Sequence, residues 1–210
     1  KMEKVTTIKR AFAATGKFNG TLNTWRFLVL DDMTEAFMGS QAFNAPLIAW
    51  NTASVTKMEG MFNNALAFNQ PVVNWATGNV TSMKKVFAGA AAFNQSVVAW
   101  DVTKVKTMEA MFQNALSFNQ SLLGWKTGEV TTMESMFDGA NKFNQKLDTW
   151  DMRKVVNVNY MFQGAVSFNQ SLNAWNTGTF QFASAMFRGA TGYNRPMNLW
   201  DVSKITDFSY

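Results

Sequence analysis

The sequence predicts an α/β solenoid in which about eight 25-residue turns stack on one another. The first observation is a repeat without gaps, because tryptophan returns on one register at Trp25, Trp50, Trp75, Trp100, Trp125, Trp150, Trp175 and Trp200. Asparagine keeps a second register from Asn19 to Asn194, and phenylalanine keeps a third from Phe12 to Phe187. The second observation is that each repeat has two parts. In the first part apolar residues have the spacing of a helical face, and the second part is too short to form a helix. A period of about 20–50 residues is typical of stacked units that bury their apolar faces only against each other.

The first half of each repeat predicts a short helix. Apolar residues occupy the i, i+3, i+4 and i+7 positions of one helical face, as at Met58, Met61, Phe62 and Ala65. Thr56 and Glu59 match the capping box that opens many helices. Residues suited to left-handed backbone follow near the expected helix end, at Gly89, Gly139, Gly164 and Gly189 or at Asn64 and Asn114. We expect about two or three helical turns, stabilised by packing against neighbouring units.

The second half of each repeat predicts a very short strand. The segment from Phe68 to Val72 contains Pro71, which has no N–H for a β-ladder, so few residues can pair there. Val72 and its equivalents should point inward, and Trp75 should begin the return segment. After the tryptophans, Asp101 and its equivalents in every second repeat alternate with Thr77-Gly78 and its equivalents. This longer period indicates either two alternating turn geometries or growth of the array by duplication of pairs.

Composition excludes several classes of function. The 210 residues carry neither cysteine nor histidine, which removes the commonest metal ligands and the commonest general base. We therefore expect no enzyme, no catalytic residues, no metal and no cofactor. The net charge of +5 is scattered, which argues against nucleic acid, and no apolar run approaches the roughly 18–20 residues of a membrane span. Residues 1–210 should form a single repeat array, either a segment of a longer protein or a subunit with docked ends.

Two of the ladders are predicted to be structural. Asparagine side chains at a bend can satisfy backbone groups that no helix or strand satisfies, and the best examples are Asn69, Asn94, Asn119 and Asn144. An unbroken aromatic row beside valine and methionine indicates a core, as at Trp75, Trp100, Trp125 and Trp150. Recurrence in every unit is what a structural role requires.

The position two residues before each tryptophan varies, and it yields the candidate partner-binding residues. Four adjacent repeats carry apolar residues there, namely Ile48, Val73, Val98 and Leu123. Other repeats carry Asn23, Asp148, Asn173 or Asn198, which indicates that the position faces solvent. An exposed apolar stripe of this kind is typical of an interface. The alternative is a half-buried position that tolerates many residue types.

The consensus resembles the repeat of the BspA-like leucine-rich-repeat surface proteins, in particular their subgroup of surface-protein repeats of this length. One unit carries the match at Val130-Thr131-Thr132-Met133, Met136-Phe137, Ala140, Phe143-Asn144-Gln145, Leu147 and Trp150-Asp151. The resemblance implies a right-handed β/α solenoid, similar to leucine-rich repeats, at the cell surface or outside the cell. It also implies a protein-protein interaction or adhesion module with a protein partner. The competing expectation is a structural scaffold subunit of a larger assembly.

Overall fold

The computed structural model describes residues 2–209. Over this range the backbone contains no helix, and its β-structure is limited to isolated single-residue bridges. The prediction of an α/β, right-handed β/α, leucine-rich-repeat-like solenoid is therefore wrong. Each 25-residue unit is instead a coil of consecutive tight turns, and successive coils stack in register.

The hydrogen bonds of the predicted helical stretch explain why no helix forms. Phe62 N–H donates to Val86 O at 2.9 Å in the next coil, whereas Asn63 N–H donates to Gly60 O at 3.0 Å within its own coil. Every second N–H group thus donates to a carbonyl of the next coil. The continuous bonding of each N–H to the carbonyl four residues earlier, which defines an α-helix, is therefore not made. Gly60 and Asn64 both have φ of 58°, a left-handed conformation that interrupts a right-handed helix.

The same alternation recurs along the stack. The coils share two left-handed positions, and Gly124 adds a third in one coil. One shared position holds Arg10, Glu35, Gly60, Lys85, Ala110, Ser135, Tyr160 and Ala185. The other position holds Ala14, Gly39, Asn64, Gly89, Asn114, Gly139, Gly164 and Gly189. The second set contains the glycine and asparagine residues that the sequence assigned to left-handed backbone at a helix end. Their conformation is as expected, although the helix is absent from the described chain.

Aromatic ladders form the core between the coils. Trp50 and Trp75 stack with ring centroids 6.5 Å apart, and Phe62 and Phe87 stack at 5.6 Å. Within one coil, Phe62 also stacks on Phe68 at 3.8 Å. These phenylalanines are fully buried, so each ring contacts rings of its own coil and of both neighbouring coils.

A ladder of parallel bridges joins the coils on one side. It pairs each residue with its equivalent in the next repeat, as Thr7–Asp32, Asp32–Lys57, Ser82–Thr107, Thr107–Thr132, Thr132–Asn157, Asn157–Phe182 and Phe182–Asp207. Two backbone bonds flank each bridge, as where Met83 N–H donates to Thr107 O at 2.9 Å and Lys106 N–H donates to Thr81 O at 2.8 Å.

Within residues 2–209 this ladder has one gap, between Lys57 and Ser82. In this described part of the chain neither flanking bond forms, because Met58 N–H does not reach Ser82 O and Thr81 N–H does not reach Thr56 O. A surface cavity of about 230 Å³ opens at the same place, between the loosened coils. The Thr56 hydroxyl donates to Asp31 Oδ1 at 2.5 Å, which holds this coil against the preceding one.

The longer period, which spans two repeats, has a structural basis in paired coils. The buried Thr127 hydroxyl donates to Asp151 O at 2.9 Å in the next coil. A methyl group added to Gly128 would lie 3.2 Å from Asp151 Oδ2, so glycine leaves room for that carboxylate. The Asp151 carboxylate accepts from the Arg153 guanidinium and from Arg153 N–H, and these bonds lower the pKa of Asp151 to about 2. Two coil types therefore alternate. A coil with threonine and glycine is followed by a coil with aspartate, because the threonine bonds the aspartate backbone and the glycine leaves room for the carboxylate.

Hydrogen exchange should locate the gap in the ladder. We expect the amides of Met58 and Thr81 to exchange at least about tenfold faster than their bonded equivalents, Met83 and Lys106, because they lack an intercoil acceptor within the described residues. Residue-resolved exchange by NMR measures this difference. Equal protection at all four amides would contradict the gap.

A pair of glycine substitutions should separate backbone strain from intercoil packing. Gly89 and Gly164 have φ of 67° and 64°, so alanine costs about 1–2 kcal/mol of conformational energy at either site. At Gly89 the new methyl group would also clash with Asn64 Oδ1, whereas at Gly164 it would lie 3.6 Å from Gly139 Cα, an ordinary contact.

We therefore expect Gly89→Ala to lower the free energy of unfolding by about 1 kcal/mol more than Gly164→Ala does. Urea denaturation of the two variants measures the difference. The double variant Gly89→Ala/Asn64→Gly should recover the excess, and a persistent excess would show that the clash with Asn64 is not its cause.

Candidate interaction surface

The asparagine ladder connects each coil to the next. Asn69 Oδ1 accepts from Asn94 N–H at 2.9 Å and from Gln95 Nε2 at 3.1 Å. The same backbone bond repeats with Asn94, Asn119 and Asn144 as acceptors for the following coil. Each side-chain oxygen is therefore occupied by two donors of the neighbouring coil, which leaves little capacity for a ligand.

The tryptophan ladder is buried and mostly bonded. Trp100 Nε1 donates to Val72 O at 2.9 Å, and Trp125 and Trp150 make the equivalent bonds at 3.1 and 3.4 Å. Trp75 is equally buried, but within the described chain its Nε1 has no partner. With 4% or less of their surface exposed, Trp75, Trp100, Trp125 and Trp150 cannot stack on a ligand from solvent.

The four candidate partner-binding residues lie at equivalent positions of adjacent coils, and three of them are exposed. We name this row the apolar stripe: Ile48, Val73, Val98 and Leu123. Ile48 is 61% exposed, Val98 and Leu123 are each 43% exposed, and Val73 is half-buried. Ile48 and Val73 line one small cleft together with Pro71, so these two members of the row are neighbours on the surface. The stripe therefore presents aliphatic side chains to solvent.

Two asparagines at the same position bind the backbone of the next coil, whereas Asp148 makes no such bond among the described residues. Asn23 Oδ1 accepts from Ala49 N–H at 3.1 Å, and Asn173 Oδ1 accepts from Leu199 N–H at 3.0 Å. The aliphatic residues of the stripe cannot accept such a bond. The corresponding N–H groups of the next coils have no hydrogen-bond partner within residues 2–209, and they belong to Asn74, Ala99, Gly124 and Thr149.

The stripe thus omits four intercoil hydrogen bonds that asparagine makes elsewhere in this chain. Sequence reasoning missed this relation, because it took asparagine at this position only as a sign of exposure.

Charge is absent from the part of each coil that carries the stripe. No charged residue occurs in four consecutive segments, which are 36–50, 61–75, 86–100 and 111–125. The next equivalent segment ends this pattern with Asp138, Lys142, Lys146 and Asp148. Each residue of the apolar stripe therefore lies in a segment without charged residues, and exposed Asp101 and Lys126 follow directly after two of these segments.

Neither metal chemistry nor a membrane-spanning helix has support in the described part of the chain. No group of three or more acidic side chains is placed to hold a metal ion there. Among residues 2–209 no helix is long and apolar enough to cross a bilayer.

These features define a class: a repeat protein whose 25-residue units stack through aromatic and asparagine ladders. The family described as "Mycoplasma protein of unknown function, DUF285" matches residues 6–125 and again residues 117–210. Because the two matches together cover nearly the whole chain, the protein belongs to this family. No curated protein matches the sequence.

Restoring asparagine to the stripe should stabilise the fold. In Val98→Asn the new side-chain oxygen can accept from Gly124 N–H, as Asn173 accepts from Leu199 N–H. We expect the free energy of unfolding to rise by about 0.5–1.5 kcal/mol. Urea denaturation at a protein concentration low enough to exclude association measures the change.

The matched control is Val98→Ser, which is polar but too short to reach the next coil and should not stabilise. The reciprocal variant Asn173→Val should lower the free energy of unfolding. If Val98→Asn were no more stable than Val98→Ser, the missing intercoil bond would not be the difference between the two kinds of coil.

Proposed function

We propose that the protein is a non-enzymatic protein-protein interaction or adhesion module that binds its partner through the apolar stripe. The single observation that carries the proposal is that Ile48, Val98 and Leu123 are exposed apolar residues at a position where Asn23 and Asn173 bond the next coil in other repeats. A row of exposed apolar side chains in adjacent coils is expected to serve something other than folding.

The shape of the array supports this function. Every coil is bound to its neighbours by backbone bonds and by stacked rings, so the stripe is held on a rigid surface. A rigid contact surface loses little conformational entropy on binding, which favours affinity. Exposed aliphatic side chains in a continuous row are typical of protein interfaces.

The family resemblance supports a proposal for the location. The repeat consensus resembles that of BspA-like surface proteins, and membership of a repeat family found by two consecutive matches is consistent with that resemblance. We therefore place the module at the cell surface or outside the cell. Fractionation of native cells, with protease added to intact cells, tests this placement, and protection from the protease would count against it.

Site-specific photo-crosslinking tests the interaction. A photoreactive phenylalanine analogue at Val98 should give one defined covalent adduct in native cells, whereas the same analogue at Ser54 should not. Ser54 is exposed and lies outside the charge-free segments. Mass spectrometry identifies the adduct.

A second change makes the test specific. Combining the probe at Val98 with Ile48→Asn and Leu123→Asn should abolish the adduct while the chain stays folded. Absence of any adduct at Val98, or equal adducts at Val98 and Ser54, would overturn the proposed function.

A further inference from the structure

We infer that the array has a hinge between two of its coils, residues 51–75 and residues 76–100. The hinge opens on the side of the bridge ladder and stays closed on the side of the aromatic and asparagine ladders. It divides the described chain into two units, residues 2–75 and residues 76–209. The hinge is independent of the proposed interaction function, because it depends only on bonds between coils.

The ladder side of this junction lacks the backbone bonds that close the others. At every other junction of residues 2–209, two N–H groups donate across the bridge position. One junction earlier, Met33 N–H donates to Lys57 O at 2.8 Å. At the hinge, neither Met58 N–H nor Thr81 N–H finds an acceptor in the adjacent coil of the described chain. One junction of the array is therefore not closed by hydrogen bonds on this side.

The unpaired backbone groups favour an open junction. A buried N–H or C=O group without a partner loses the hydrogen bond that water would provide. Thr56, Thr81 and Ser82 line the surface cavity of about 230 Å³, which gives solvent access to this place. Closing the other junctions forms two ladder bonds, whereas closing this one leaves its groups unpaired. The open state is thus disfavoured far less here than elsewhere.

Side-chain charges do not close the junction either. Lys84 occupies the position equivalent to Glu59 in the coil before it and to Glu109 in the coil after it. The Lys84 ammonium pairs with Glu109 at 2.8 Å, and Glu59 has no ion-pair partner in residues 2–209. The ion pair therefore joins residues 76–100 to the following coil and contributes nothing across the hinge.

The opposite side of the same junction is fully bonded. Asn94 N–H donates to Asn69 Oδ1 at 2.9 Å, and Trp100 Nε1 donates to Val72 O at 2.9 Å. The rings of Trp75 and Trp100 stack with centroids 6.4 Å apart. This side holds the two coils together and serves as the axis about which the ladder side opens.

Opening at this junction changes the curvature of the array at one defined place. Contacts in a stacked array are made mainly between neighbouring units, so the array bends where the interface between two units is weakest. Val73 directly follows Val72, whose carbonyl bonds Trp100 across the junction, so Val73 lies on the closed side. The apolar stripe therefore keeps its arrangement while the ladder side opens.

Distances between spin labels test the hinge, because the chain has no cysteine of its own. The pair Lys57→Cys/Asn157→Cys spans the hinge, and the matched control Ser82→Cys/Phe182→Cys does not. Both pairs use the bridge position and lie four coils apart, which is about 19 Å at the usual strand spacing. Double electron–electron resonance should give a distribution at least about twice as broad for the first pair, because a hinge samples open and closed states.

A second spanning pair guards against a local effect of one label. Thr7→Cys/Thr107→Cys crosses the hinge from other positions and should give the same broad distribution. Thermal melting of each labelled chain confirms that it is folded. Equal widths in all three pairs would overturn the hinge. A longer but equally narrow distance in the two spanning pairs would also overturn it, since that result indicates a fixed gap.

The hinge and the interaction function fail separately. The label distances are measured on the purified chain, without a partner. A narrow distribution together with a defined adduct at Val98 would remove the hinge and leave the interaction function. A broad distribution without any adduct at Val98 would support the hinge and remove the interaction function.

Discussion

The fold depends on hydrogen bonds from the backbone N–H groups of each coil, which donate partly to carbonyls of the same coil and partly to carbonyls of the next coil. In the stretch from Gly60 to Asn64, alternate N–H groups donate within the coil and to the next coil. A coil alone would therefore leave about half of these donors without a partner, which is costly once they are buried. Stacking is obligatory for this reason, and the left-handed residues of each coil are the means by which alternate N–H groups turn outward.

The aromatic and asparagine ladders follow from that stacking. Once coils repeat in register, equivalent side chains must lie above one another, and flat rings fill such a column without gaps. A buried phenylalanine contributes about 1.5–3 kcal/mol relative to an exposed one, so the two phenylalanine columns account for much of the stability. Asparagine is suited to its own column because one oxygen can accept the N–H of its equivalent in the next coil.

The apolar stripe differs from the ladders, in which equivalent side chains contact one another from coil to coil. At other positions, residues that differ between repeats still make contacts between coils. Asn173 accepts from Leu199 N–H, and Gly128 leaves room for Asp151. In the stripe, four coils in succession present aliphatic side chains, which cannot make an intercoil hydrogen bond. The gap between Lys57 and Ser82 lies at one of these same coils, which shows that the stack tolerates the loss of a few bonds. Cooperative packing of the remaining contacts explains that tolerance.

The sequence by itself determined the period, the buried ladders and the left-handed glycine and asparagine positions, because each of these depends on residue type repeated at one spacing. It left open whether the position of Ile48 faces solvent or is half-buried, and the structure shows Ile48 exposed and Val73 half-buried. Only the tertiary structure decided against the helix. Met58, Met61, Phe62 and Ala65 have helical spacing, yet consecutive turns bury the same four positions. The spacing of apolar residues cannot distinguish a helix from consecutive turns. The hydrogen-bond acceptors that decide between them lie in the next coil, as Val86 does for Phe62.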